Sequence, residues 1–260
     1  MTVLLTYGTV AKDGAGRGFS RKWTRIFTLT PERDQFLQAL GAAGIHWQSK
    51  ETAEARVAFF AQYLSHEDQV LRDTALIEID RAPYGSIQML RNAVSTDDLL
   101  REFDGITRMS FLPVAIRLLG LQDSDEMAQH IVRSRYPKSI VRGSAYTYEW
   151  ALAGIAMDDA DAVESIDAVL TAAKVKKEHK RSLIRALADA GTVSPALKSQ
   201  IINIFARELE LDSSSALEIV IAMRNWNETR LDAQLADLLQ NEEVDPVTQF
   251  VIQTKLASTD

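Results

Sequence analysis

From about residue 31 onward the apolar positions recur at helical rather than strand spacing. Val57, Phe60, Ala61 and Leu64 stand at i, i+3, i+4 and i+7, one apolar stripe of an α-helix. The polar run Ser65-His66-Glu67-Asp68 interrupts that stripe, and Leu71, Ala75 and Ile79 begin a second at i, i+4 and i+8. A helix with one apolar face stays dry only against a neighbour that covers it. The stretch 57–94 therefore predicts a helix, a polar turn, a second helix, a corner at Pro83 and a third helix.

The pattern repeats to the end of the chain. Phe36 and Leu40 follow a start signal at Thr30-Pro31-Glu32, a capping residue and then proline at the first helical position, and Gly41 to Gly44 closes the segment. Further stripes are Leu99, Leu100 and Phe103; Val114 to Leu119; Met127, Ala128, Ile131 and Val132; Tyr146 to Met157; and Val163, Ile166, Val169 and Leu170. Leu183, Ile184 and Leu187 run to Gly191, read as a helix C-cap. Leu197, Ile201, Ile204 and Phe205 come next, then Leu217, Val220 and Ile221; Leu231, Leu235, Leu238 and Leu239; and Val247, Phe250 and Val251. All six prolines are placed at element boundaries, Pro137 as the end of a segment. Roughly a dozen helices of about 8–16 residues with short polar links is the texture of a solenoid.

Residues 2–30 differ. Val3 to Tyr7 is β-prone, and Trp23, Arg25, Phe27 and Leu29 alternate with polar neighbours at period two. The glycines of Lys12-Asp13-Gly14-Ala15-Gly16-Arg17-Gly18 suit a turn between them. The expected organisation is a β-hairpin segment at 1–30 and an all-α array of stacked helix pairs at 31–260.

Composition agrees with a folded chain: 260 residues, 46% hydrophobic and 25% charged, long enough for a sizeable core. The absence of cysteine removes disulfides, thiol catalysis and Cys-ligated metal centres. No apolar run approaches the roughly 18 residues of a membrane span. Nor does the N-terminus have the basic start and apolar run of a secretory signal. The expectation from the chain as it stands is a cytoplasmic location, with export or the periplasm as the alternative if the true start lies upstream. The net charge of −7 is uneven: residues 1–50 hold seven Lys/Arg against three Asp/Glu, and 51–260 hold 22 against 33. An acidic helical body argues against non-specific nucleic-acid binding, which depends on neutralising phosphates.

Leu64-Ser65-His66-Glu67-Asp68-Gln69-Val70-Leu71-Arg72-Asp73-Thr74-Ala75-Leu76 resembles the turn and second helix of HEAT repeats, with Arg72 two places after Val70 rather than next to it. The runs Ala58 to Asp68, Arg81-Ala82-Pro83-Tyr84, Met223-Arg224-Asn225-Trp226-Asn227 to Leu231, and Asp245-Pro246 to Leu256 are similar to a group of bacterial HEAT-repeat proteins of unknown function. The resemblance spans 31–258, and only two short blocks are distinctive. It implies an α-solenoid and no known chemistry. Members of that group tend to be exported and to carry a larger β-rich N-terminal part, from which this chain departs.

Motifs with chemistry are few. Neither GxxxxGK[ST] nor GxGxxG occurs, and GxSxG is missing. His46, His66, His130 and His179 do not fall at metal-ligand spacing, and His66 is read as solvated in an inter-helix turn. No cofactor and no metal is expected. Asp158, Asp159 and Asp161 are read as helix-capping carboxylates. The basic run Lys174, Lys176, Lys177, Lys180 and Arg181 is read as a solvated turn and first helical turn, with an acidic partner as the alternative.

The most distinctive stretch is Arg133 to Trp150, with four basic residues, four aromatics and one Glu. Arg and aromatic side chains dominate interface hot spots and also stack on bases. Arg133, Arg135, Tyr136, Lys138, Arg142 and Tyr148 are the expected contacts to a protein partner. The competing structural reading places Tyr146 and Trp150 in the core and the basic residues on a loop. The expected function is a non-enzymatic protein-binding or scaffold module acting through the concave face of the stack. The alternative is a HEAT-like DNA glycosylase using Trp150, Trp226 and nearby acids, which the acidic body disfavours. A HEAT-like lyase or pigment chaperone ranks last.

Overall fold

Thr30 opens the first helix as its side chain dictates: the hydroxyl accepts the Arg33 N–H at 3.3 Å, and Pro31 fills the first helical position. The computed structural model describes residues 3–11, 19–45, 47, 52–172, 175–241 and 244–258, and is predominantly helical. The chain divides into two compact units, Met1–Ala75 and Leu76–Asp260.

In the first unit, strands β1 (Val3–Ala11) and β2 (Phe19–Thr28) pair antiparallel, from Val3 opposite Thr28 to Ala11 opposite Phe19, with a bulge between Leu4 and Leu5. The expected turn at 12–18 lies outside the described residues. Helices α1 (Pro31–Gly44) and α2 (Ala53–Ala61) follow, and α3 (Gln69–Asp80) begins here. Phe36, Trp47, Phe59, Phe60 and Tyr63 form one aromatic cluster, with the Phe36 and Tyr63 rings edge-on at 4.9 Å. Arg33 joins three elements. It donates to the Thr28 carbonyl at 2.8 Å and bidentately to Asp68 at 2.8 and 3.1 Å. Asp68 also accepts the Val70 N–H at 2.8 Å. Burial pushes the Asp68 carboxyl up, but Arg33 and these N–H groups outweigh it and hold it below its ordinary 3.8. His66 is half-buried rather than solvated, its Nδ1 accepting the Asp68 N–H at 2.9 Å; His46 lies outside the described residues.

The second unit holds α4 (Tyr84–Ile87), α5 (Thr96–Leu100), α6 (Leu112–Gly120), α7 (Glu126–Arg142), α8 (Thr147–Leu170), α9 (Lys177–Val193), α10 (Lys198–Leu211), α11 (Ala216–Asn225), α12 (Asp232–Leu238) and α13 (Pro246–Ala257). Short 3-10 turns at Gln88–Leu90, Arg101–Phe103 and Ile106–Phe111 join the early helices. Packing runs mostly between near neighbours: α6 and α7 on α8, α8 on α9, α9 on α10 and α11, α10 on α12, and α11 and α12 on α13, while the short α4 packs on α9, distant in sequence. Helix α6 is buried from Val114 to Gly120, including Arg117, which donates to the Asp80 carboxylate at 2.5 Å.

Several sequence-based expectations are corrected. The third helix after Pro83 is only the four-residue α4 and a 3-10 turn, ending at Asn92 with φ 57°. Gly85 and Ser86 are poor helix formers, so the stripe there is too short to propagate. Pro137 lies inside α7, not at its end. It is exposed, so the Arg133 carbonyl that loses its N–H partner has access to water, and the helix continues to a left-handed Gly143 cap, φ 67°. Gly191 is interior to α9, where a Cβ would overlap the Trp226 ring. Helix α11 buries Ala216, Ile219, Val220 and Met223, while Ile221 is exposed. Helix α13 buries Thr248, Ile252 and Lys255, leaving Val247 and Phe250 in solvent.

Candidate functional site

Asp125 caps α7 by accepting the Met127 and Ala128 N–H groups, and α7 then carries the predicted basic residues along one regular helix. The loop expected for those residues is confined to the turn after Gly143. Trp150 is buried at 6% exposure, as the structural reading of that stretch required, and Tyr146 is half-buried.

The six predicted contact residues do not form one surface. Tyr136 is buried at 6% exposure, its ring against Gly154 of α8, where a Cβ would come within 2.6 Å. Arg133 is turned to Asp158 at 2.8 Å and to Gln129 at 2.9 Å. Tyr148 projects about 200° around α8 from Trp150 and donates its hydroxyl to Asp189 of α9 at 2.5 Å. Burial and the Asp189 carboxylate push the Tyr148 hydroxyl far up, so it stays a donor.

Arg135, Lys138 and Arg142 remain together. Spacings of three and four residues put them on one α7 face, and all three are exposed. Among the described residues no ion pair occupies them. The Arg135 guanidinium stands 5.4 Å from the Phe103 ring centre and 5.9 Å from that of Trp150, and the two rings are 6.3 Å apart. This tilted pair gives the guanidinium a fixed aromatic seat. Beside it, the Tyr146 hydroxyl donates to the Met109 carbonyl at 3.4 Å. Met109 is 48% exposed and Ile106 83% exposed in the adjoining 3-10 turn, where residues three apart eclipse. The pattern did not single out Ile106 and Met109. Their only sequence signal was an apolar i, i+3 pair on a segment too short for a helical stripe.

Among the hollows that adjoin α9, two include apolar side chains of the neighbouring helices. The larger, about 750 Å³, is an apolar groove walled by Pro137, Ile140, Val141, Ala168, Val169 and Val175, with His179 at one side. The His179 Nε2 and the Ile140 carbonyl are 2.6 Å apart. The second, about 310 Å³, is lined by Arg185, Asp189, Thr192, Leu217, Glu218 and Ile221. Arg185 lies 4.4 Å over the Tyr148 ring at its rim. Nearby, burial pushes the half-buried Glu149 carboxyl above its ordinary 4.5; Asp80 adds to this, while its own backbone N–H, Arg117 and Arg185 oppose it.

The remaining candidates resolve into packing. Lys180 is not solvated: it bonds the buried Glu208 at 3.1 Å and lies 3.6 Å from Asp212. Arg181 pairs with Glu218 at 3.0 Å; Lys174 lies outside the described residues. Asp158 serves as the partner of Arg133, and Asp159 sits at a break within α8 with φ 46°, ψ −116°. Trp226 stacks on Phe205 at 5.9 Å and donates to Thr192 at 2.9 Å. Trp150 and Trp226, the bases' expected platforms in the glycosylase alternative, are both committed to packing. Among the described residues, no three or more His, Asp or Glu side chains group to hold a metal ion, and no helix is long and apolar enough to cross a membrane. The chain matches no protein-family model, no curated protein and no solved structure.

Proposed function

We propose that the chain is a non-enzymatic protein-binding module, a HEAT-like solenoid whose recognition surface is the Arg135–Lys138–Arg142 face of α7. The observation that carries this reading is the free basic strip beside the Phe103–Trp150 ring pair and the exposed Ile106 and Met109. Arginine seated on aromatic rings and flanked by solvent-exposed apolar side chains is the composition of an interface hot spot. The near-neighbour packing of α6 to α13 supports the solenoid, in which each helix pair covers the next and leaves long faces free for a partner.

The test is affinity capture of a partner from the source cell's extract, comparing the native chain with the triple variant Arg135→Ala, Lys138→Ala, Arg142→Ala. Loss of three solvent-exposed contacts, each contributing about 0.5–1 kcal/mol, lowers the captured partner about tenfold or more. Undiminished capture removes the surface assignment. Tyr148→Phe is the control, since Tyr148 faces α9 and leaves the strip intact.

A further inference from the structure

The strip carries three positive charges, yet residues 51–260 are acidic overall, with 22 Lys/Arg against 33 Asp/Glu. It is a local reversal of sign, held in place by helix geometry. Arg135 and Arg142 are separated by about 10 Å along α7, the length of three residues of extended chain or two turns of helix. The acids of the neighbouring 3-10 turns do not cancel it. Glu102 is buried and pairs with Arg108, whose guanidinium lies 4.2 Å over the Phe111 ring. Asp104 alone is an exposed carboxylate in 101–111.

Charge alone would suit any polyanion. The apolar side chains beside it narrow the choice. Ile106, at 83% exposure, and Met109, at 48%, stand beside the strip through the Met109–Tyr146 and Arg135–Phe103 contacts. The phosphates of a nucleic acid have nothing to bury there, and the acidic body around the strip disfavours the rest of such a polyanion, whereas an apolar peptide side chain fits it. Met is an adaptable contact residue, and burying a leucine or phenylalanine on such a pair contributes more than a solvated ion pair.

We propose that the occupant of this surface is an acidic amphipathic peptide segment of the partner. One apolar side chain of that segment packs on Ile106 and Met109, and its carboxylates lie opposite Arg135, Lys138 and Arg142. This inference rests on the protein-binding reading and specifies its partner.

The experiment is fluorescence anisotropy with the full chain and a fluorescein-labelled peptide in which glutamate alternates with leucine and phenylalanine. Two control peptides replace every glutamate by lysine, or every apolar residue by serine. The acidic apolar peptide saturates, and both controls bind at least about tenfold more weakly. Arg135→Ala, Lys138→Ala, Arg142→Ala in combination, and separately Ile106→Asp with Met109→Asp, each weaken it about tenfold. Arg142→Lys retains most of the binding, which separates charge recognition from misfolding. Binding that fails to saturate, a lysine peptide that binds equally, or displacement by heparin as readily as by unlabelled peptide overturns the proposal. If the peptide fails while the triple variant still abolishes partner capture, the partner's chemistry is wrong and the surface stands. If capture survives the triple variant, the surface itself is wrong.

Discussion

Asp159 is held at φ 46°, ψ −116°, a conformation glycine adopts freely and other residues adopt at a cost of about 1–3 kcal/mol. Its side chain is exposed, so nothing packed is lost on replacing it. Relief of strain exceeds the added freedom of the unfolded chain, about 0.5–1 kcal/mol. Asp159→Gly therefore raises stability by about 1 kcal/mol in urea titration, with the slope unchanged. Glu149 makes the opposite kind of demand. Its folded pKa lies above the ordinary 4.5, chiefly through burial. Below the unfolded value the carboxyl is protonated in both states and costs nothing. As pH rises through the unfolded value toward the folded one, the unfolded chain ionises first and stability falls. Glu149→Gln is thus more stable than the native chain at pH 7, and the difference closes as pH is lowered below about 4. A thermal-melting series across pH 3–8 checks both ends. A constant difference across that range would remove burial of the charge as the cause. Neither feature was legible in the sequence. Asp158, Asp159 and Asp161 had the composition of a helix cap, and Tyr148 had that of a partner contact, with nothing local to show that α9 covers it or that Glu149 beside it is half-buried.

At the scale of elements, helices were legible where a stripe continued, as in α8 and α10, whereas α7 had a stripe only from Met127 to Val132 and its later turns read as a segment end and a loop. Faces were misread where a polar residue is buried. In α13 the apolar series Val247, Phe250 and Val251 satisfies helical spacing, but the buried face runs through Thr248, Ile252 and Lys255. Lys255 is acceptable there because its ammonium meets the Asp232 carboxylate, a partner no local pattern reveals. Gly191 had the look of a cap because the side chain that requires it, Trp226, arrives from α11's end. The same blindness let Pro137 pass as a terminator, although the surrounding contacts of α7 with α8 carry the helix through it. Pro137→Ala restores an N–H donor to the Arg133 carbonyl and removes the ring's clash with it. The exposed site makes the expected gain about 1–3 kcal/mol, read as a raised urea midpoint. A loss instead of a gain would show that the proline bend is required for α7 to seat on α8.

For the whole molecule, the stretch 57–94 marked the helical character of the chain, but the proposed docking surface lies in the second unit. Half of that surface was visible as the basic and aromatic bias of 133–150. The other half, Ile106 and Met109, became part of it only through folding, when the 3-10 turn was brought beside Tyr146 and Phe103. The six residues grouped by sequence proximity divide among a buried ring, an ion pair, a hydrogen bond to Asp189 of α9 and the free strip. That division follows from helix geometry, since neighbours in sequence point to different sides. The central claim is that a partner docks over this strip. A photo-crosslinking side chain placed at Met109 tests it most directly, with a second at exposed Asn203 of α10 as reference. Irradiation in the source cell's extract should give a discrete adduct from position 109 that disappears when Arg135, Lys138 and Arg142 are changed to Ala. An adduct from position 203 with none from 109 would contradict the docking surface.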